Sequence, residues 1–136
     1  MTQRVFLDAN VLFSAAWSAS AGLAKLWKLR GVTLVSSRHA VAEAERNLDS
    51  DAQRKRLQGL ISGIAFIDAV PEAQLPAGVE LVAKDVPILM AAIEAHAMHL
   101  LTGDRRHFGH LYGKSIKGVK IVTPASFLNS QTDGTE

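Results

Sequence analysis

Five short apolar runs alternate along the chain with longer segments of helical periodicity, and this alternation narrows the fold more than any other feature. The runs are residues 4–7 (RVFL), 32–35 (VTLV), 64–67 (IAFI), 99–102 (HLLT) and 120–122 (KIV). Near-continuous apolar strands of this kind are buried on both faces, whereas half-exposed strands alternate polar and apolar residues. Strands joined through helices pair in parallel, so the pattern predicts a three-layer α/β/α domain, Rossmann-like, around a central parallel sheet of about five strands. In such sheets ligands bind beyond the carboxyl ends of the strands.

The intervening segments fit this scheme. Residues 11–17 read as a short helix capped by Asn10, and 22–30 as an amphipathic helix with Leu23, Leu26, Trp27 and Arg30 in phase and Gly31 as its C-cap. Ser36 or Ser37 is suited to cap the helix that carries Glu43. A further helix is expected over 51–62, a loop over 70–80 with two prolines and a glycine, and a strong helix from Asp85 to about Met98. Residues 1–128 form one expected domain, and the polar stretch 129–136 is expected to be a disordered tail.

Composition excludes several function classes. With 136 residues the chain is long enough for a core without staples, and 48% hydrophobic against 21% charged residues is ordinary for a globular protein. No apolar run approaches the roughly 18–20 residues that span a bilayer, and residues 1–4 lead into the first strand without a signal-peptide pattern. The absence of cysteine removes disulfides, thiolate nucleophiles and cysteine-ligated zinc, and suits a cytoplasmic setting. A net charge of +2 is too small by itself to announce a nucleic-acid partner.

Four acids fall where a ligand site belongs. Asp8 directly follows the first apolar run, and Asp104 follows the fourth through Thr102 and Gly103. Asp85 begins the long helix in phase with Ile88, Leu89, Ala92 and Ile93, an inward-facing stripe where a carboxylate needs a partner. Glu43 lies in the first two turns after the second strand, whereas Glu45 is rotated by about 200° from it. Each has an ordinary reading as well: Asp85 as an N-cap, Asp104 as a turn residue, Glu43 as a solvated helix residue. Together they set four like charges on one rim, which repel unless some protonate or a divalent cation binds. Oxygen ligands without cysteine or a paired-histidine motif point to Mg²⁺ or Mn²⁺ and to hydrolysis of a phosphodiester.

These motifs resemble those of the PIN-domain nucleases, especially the VapC-like toxin ribonucleases of toxin–antitoxin pairs. FLDANVLFSAA is similar to the family's first motif, AVAEAERNL to the segment with its glutamate, and KDVPILMAAIEAHAMHLLTGDRRHF to its third and fourth motifs. The likeness covers residues 4 to about 128; no motif falls between Leu48 and Leu81, and Phe108 stands four residues after Asp104 where many relatives have an aromatic at three. It implies a PIN-like fold in which Asp8, Glu43, Asp85 and Asp104 form the catalytic and metal-binding quartet and Asn10 and Thr102 are supporting polar residues. It further implies RNA as substrate, an antitoxin protein as partner and a homodimer.

Arg105, Arg106, His107 and His110 flank these acids, read either as phosphate contacts with RNA or as solvated turn residues, and Lys84 beside Asp85 either does the same or tempers local repulsion. His96 and His99 read as structural or surface residues, and Trp17 and Trp27 as core or partner packing. The leading reading is a metal-dependent endoribonuclease. The alternatives are a structure-specific DNA nuclease built on the same acids and a catalytically silent binding module of the same fold. A phosphotransfer receiver domain would need a suitably placed lysine and a fuller βα alternation.

Overall fold

Val5, Phe6 and Leu7 are each fully buried, although successive residues of a strand point to opposite faces, so the sheet is covered on both sides. In the computed structural model, which describes residues 2–67 and 75–133, the elements run β1 (Gln3–Leu7), α1 (Ala9–Ala16), β2 (Val32–Ser37), α2 (Arg38–Asn47), α3 (Asp51–Ile61) and β3 (Ala65–Ile67). They continue with α4 (Val86–Glu94), β4 (His99–Leu101), α5 (Arg105–Phe108), β5 (Ser115–Ile116), β6 (Val119–Val122) and α6 (Pro124–Asp133). The six strands lie in the order β3-β2-β1-β4-β6-β5, with all pairs parallel except β5 against β6. This is the expected α/β architecture, with one short antiparallel strand added at the edge.

The strand order fixes where a site can form. From β1 the chain moves to β2 and β3 on one side and then returns to β4 on the other. The carboxyl ends of β1 and β4 therefore flank the point where the winding reverses, and the crevice opens there. Asp8 N donates to Leu101 O at 3.1 Å, extending the β1–β4 ladder to the first residue of the site.

Several local expectations are corrected. Asp8, rather than Asn10, caps α1, its carboxylate accepting from Ala9 N. The segment after α1 is a 3₁₀ helix over Gly22–Lys28, in which tighter winding aligns Leu23, Leu26 and Leu29 at a spacing of three toward the core. Leu29 is extended, so Gly31 is not a helix cap; with φ of +72° it turns the chain into β2, and its carbonyl accepts from Gln3 N. α4 stops at Glu94, four residues before Met98, because His96 adopts φ of +55° while Ala97 N reaches back to Ala92 O, a Schellman closure. That early stop frees Met98 N to donate to Arg4 O and start β4 beside β1.

Ser37 is the cap of α2, and Ser50 with Gln53 forms a capping box at the start of α3. β5 is paired to β6 through a two-residue turn at Lys117 and Gly118, both at positive φ. α6 runs to Asp133, so residues 129–133 of the expected tail are helical, started by Pro124 and by Thr123 Oγ1 accepting from Ser126 N. Residues 134–136 lie outside the described residues, as does 70–74 of the loop expected over 70–80.

Candidate active site

The cleft at the β1–β4 switch point has a volume of about 680 Å³ and is lined by all four acids, Asp8, Glu43, Asp85 and Asp104. Asn10, Ser14, Asn47 and Lys84 add to its polar wall, and Ala9 and Phe13 to its apolar side. Glu45 lies elsewhere, against Gln58 in a depression between α2 and α3, as the rotation around the helix requires.

Asp8 is 4% exposed and directly follows the fully buried end of β1, which delivers it to the cleft. Its Oδ1 accepts from Ala9 N at 2.7 Å, and its Oδ2 accepts from Thr102 Oγ1 at 2.8 Å and Asn10 Nδ2 at 3.0 Å. Burial pushes the Asp8 carboxyl up from 3.8 to about 6, against the hydrogen bonds from Thr102 and Ala9 that favour the charged form; the nearby charges of Asp85 and Glu43 push it the same way as burial. Thr102 is fully buried and holds the neighbouring loop as well, its Oγ1 accepting from Asp104 N at 3.1 Å. Asn10 Oδ1 accepts from Gly103 N at 2.7 Å. Tyr112, a residue the sequence did not single out, donates its hydroxyl to Thr102 O at 2.9 Å and ties the same loop from below.

Asp85 ends a 3₁₀ turn over Ala83–Asp85 that runs directly into α4, and its side chain makes no capping bond there. The carboxylate is buried instead within the cleft wall. Burial raises its pKa, the charges of His107 and Lys84 oppose the rise, and Asp104 and Glu43 add to it. Asp104 does cap a helix: its Oδ1 accepts from His107 N at 3.1 Å to start α5. Its other oxygen turns inward.

His107, read from the sequence as a phosphate contact or a solvated turn residue, stands beside two of the acids. Its Nδ1 lies 2.9 Å from Asp85 Oδ2 and 2.9 Å from Asp104 Oδ2. Neither approach has hydrogen-bond alignment, so Asp85 Oδ2 and His107 Nδ1 are both buried without a hydrogen-bond partner. One ligand atom from each of Asp85, Asp104 and His107 falls within 4.8 Å of the others. Two carboxylates and an imidazole with orphaned donor atoms form a set that a divalent cation would satisfy. The spacing Asp-x-x-His on a helical turn was the available signal, since residues three apart share a helix face.

The other flanking residues scatter. Arg106 and His110 line a shallow depression beside the cleft with Glu80, Leu81 and Val82, and His110 Nε2 contacts Glu80 O at 2.8 Å. Arg105 acts electrostatically on Tyr112. Trp27 donates to Leu60 O, and Trp17 is 43% exposed with its ring 5.2 Å from that of Phe13.

A PIN-domain family model matches residues 4–106. Among solved structures the chain is similar to VapBC2 from Rickettsia felis, solved bound to a DNA fragment from its promoter, with a TM-score of 0.63 and 16% identity over 89% of this chain and 98% of that one. It is also similar to Mycobacterium tuberculosis VapC20, a sarcin–ricin-loop-cleaving toxin, with a TM-score of 0.53 and 12% identity over 74% of this chain and 91% of that one. No curated protein matches the chain.

Proposed function

The chain belongs to the PIN-domain family, and from that premise we propose that it is a metal-dependent endoribonuclease, the toxin component of a toxin–antitoxin pair. The observation that carries the reading is the convergence of Asp8, Glu43, Asp85 and Asp104 on one cleft at the sheet's switch point. Asp85 and Asp104 are the residues suited to hold Mg²⁺ or Mn²⁺, with Asp8 and Glu43 completing the negative wall. Bound there, the cation supplies an activated water and charge neutralisation at a phosphodiester.

The chain's own residues do the positioning. Thr102 and Asn10 saturate Asp8 Oδ2 and fix the plane of its carboxylate. Asp8 Oδ1 has Ala9 N as its donor and keeps lone-pair capacity toward the cleft. Lys84, which lines the cleft, is the proposed phosphate contact, with Arg106 on the adjoining depression and the exposed Arg105 for flanking nucleotides. His107, whose Nδ1 lies 2.9 Å from Asp85 Oδ2 and from Asp104 Oδ2, is read here as acting among the acids.

The partner reading rests on the two related structures and on an apolar patch at α1, where Trp17 is exposed beside Phe13. An antitoxin segment and a second copy of the chain are the proposed occupants of such surfaces, in a cytoplasmic setting. Among the described residues no helix is long and apolar enough to cross a membrane.

The test is cleavage of total RNA by the purified chain with and without divalent metal, mapping the new ends. Metal-dependent ends support the reading. Cleavage of a DNA strand in preference to RNA of the same sequence would favour a DNA nuclease, and Mn²⁺ binding without cleavage of either would favour a binding module.

A further inference from the structure

We propose that His107 is itself a metal ligand through Nδ1, giving this site a nitrogen donor that turns its preference from Mg²⁺ toward first-row transition metals. The proposal rests on the metal-dependent reading above and assigns to it a residue outside the acidic quartet. Its ground is the position of one atom. Nδ1 of His107 stands 2.9 Å from an oxygen of Asp85 and 2.9 Å from an oxygen of Asp104, and is hydrogen-bonded to neither.

Three physical points favour ligation over a simple ion pair. The first is spacing. Neighbouring ligand atoms of an octahedral Mg²⁺ or Mn²⁺ site, each about 2.1 Å from the metal, lie about 3 Å from one another. The two His107 contacts have that separation, and one ligand atom from each of the three residues falls within 4.8 Å of the others.

The second is direction. A protonated imidazole serving as a counter-ion would aim its N–H at a carboxylate oxygen, because the charge-assisted hydrogen bond is the stronger arrangement. The in-plane direction at Nδ1 meets neither oxygen with that alignment. Asp85, 93% buried with an orphaned Oδ2 in the same cluster, is likewise left without a hydrogen-bond donor. A buried polar atom without a partner is costly, and two facing each other across 2.9 Å share one remedy, a cation coordinated by both.

The third is access. His107 does not line the catalytic cleft; it lines the neighbouring depression with Arg106 and His110. The ring thus approaches Asp85 and Asp104 from the flank of the cleft rather than through its mouth. A ligand from that direction leaves the cleft face of the acids available to water and a phosphate. The backbone N–H of the same residue donates to Asp104 Oδ1, so one residue orients a carboxylate ligand and adds a second donor.

Imidazole suits transition metals and is a poor donor for Mg²⁺, which demands oxygen. The expected order of affinity is Mg²⁺ below Mn²⁺ below Co²⁺, with Mn²⁺ bound roughly tenfold or more tightly than Mg²⁺. The test uses the full chain, with Mn²⁺, Co²⁺ and Mg²⁺ chlorides as probes. Calorimetric titration measures the affinities, and pulsed electron paramagnetic resonance of the Mn²⁺-loaded chain measures nitrogen coupling. The expected result is a ¹⁴N coupling characteristic of imidazole in the wild type, lost in His107→Ala, together with about a tenfold or larger loss of Mn²⁺ affinity and a smaller change for Mg²⁺. Bound Mn²⁺ without nitrogen coupling, or an equal loss for both cations, overturns the role of His107 and leaves the nuclease reading intact. No Mn²⁺ binding at all overturns both. The wild-type spectrum carries the test even if the variant fails to fold.

Discussion

The hydroxyl of Thr102 donates to Asp8 Oδ2 at 2.8 Å across 94 residues of sequence, joining the carboxyl ends of β1 and β4 at the floor of the cleft. Thr102 Oγ1 in turn accepts from Asp104 N and from Asn10 Nδ2, so one buried side chain sets the positions of three residues of the site. Its full burial makes the arrangement demanding, because a hydrogen bond lost there cannot be replaced by water.

Thr102→Val keeps the shape of the side chain and removes the hydroxyl, leaving Asp8 Oδ2 short of a donor and Asp104 N without its acceptor. The expected cost is about 1–3 kcal/mol of stability with a sharp fall in cleavage, while Thr102→Ser retains most of both. Urea denaturation and RNA cleavage check this. A valine variant as stable and active as the wild type would show that the network is idle.

Asp8→Asn tests the proposed role of the carboxylate and also its electrostatics. Cleavage should be abolished. In metal-free protein the raised pKa of Asp8 has a defined sign. Below its ordinary value of 3.8 the group is protonated in both folded and unfolded chains and contributes nothing. From there to about 6 the folded chain holds a proton that the unfolded chain has lost, so stability falls as pH rises. Above about 6 the full penalty, about 3 kcal/mol, is present. The difference between wild-type and Asp8→Asn stability, measured in chelator between pH 4 and 7, should therefore grow in favour of the variant. A difference that stays flat with pH would contradict the shift.

Glu43 and Glu45 form an internal control on α2. Glu43 lines the cleft and Glu45 does not. Glu43→Gln should lower cleavage by about 10²-fold or more, the scale on which proton-transfer and charge-positioning groups act, and Glu45→Gln should leave it near wild type. Equal losses in parallel cleavage assays would refute the assignment.

Metal removal should be reversible and visible in stability. Chelation is expected to abolish cleavage, and Mn²⁺ at about a hundred times its dissociation constant to raise the unfolding free energy by about 2.7 kcal/mol through linkage. Melting curves at increasing Mn²⁺ measure this; a midpoint indifferent to metal would mean that the acids do not bind it in the folded chain.

The chain's alternation of apolar runs and helical segments determined the α/β class by itself, because strands such as Val5–Leu7 are buried wherever they sit in a covered sheet. Asp8 and Asp104 were legible for the same reason, being fixed to strand ends by covalent connection, and the stripe of α4 gave Asp85 its inward face. The helical period separated Glu43 from Glu45. Tertiary structure alone decided what depends on contacts between distant segments. The 3₁₀ winding over Gly22–Lys28, which sets Leu23, Leu26 and Leu29 against the core, answers to packing rather than to local propensity. The same holds at the site, where Thr102 meets Asp8 across the sheet and His107 turns from the surface to stand between Asp85 and Asp104. Periodicity tells which face of an element a side chain occupies, but the atom it meets there is supplied by another part of the chain.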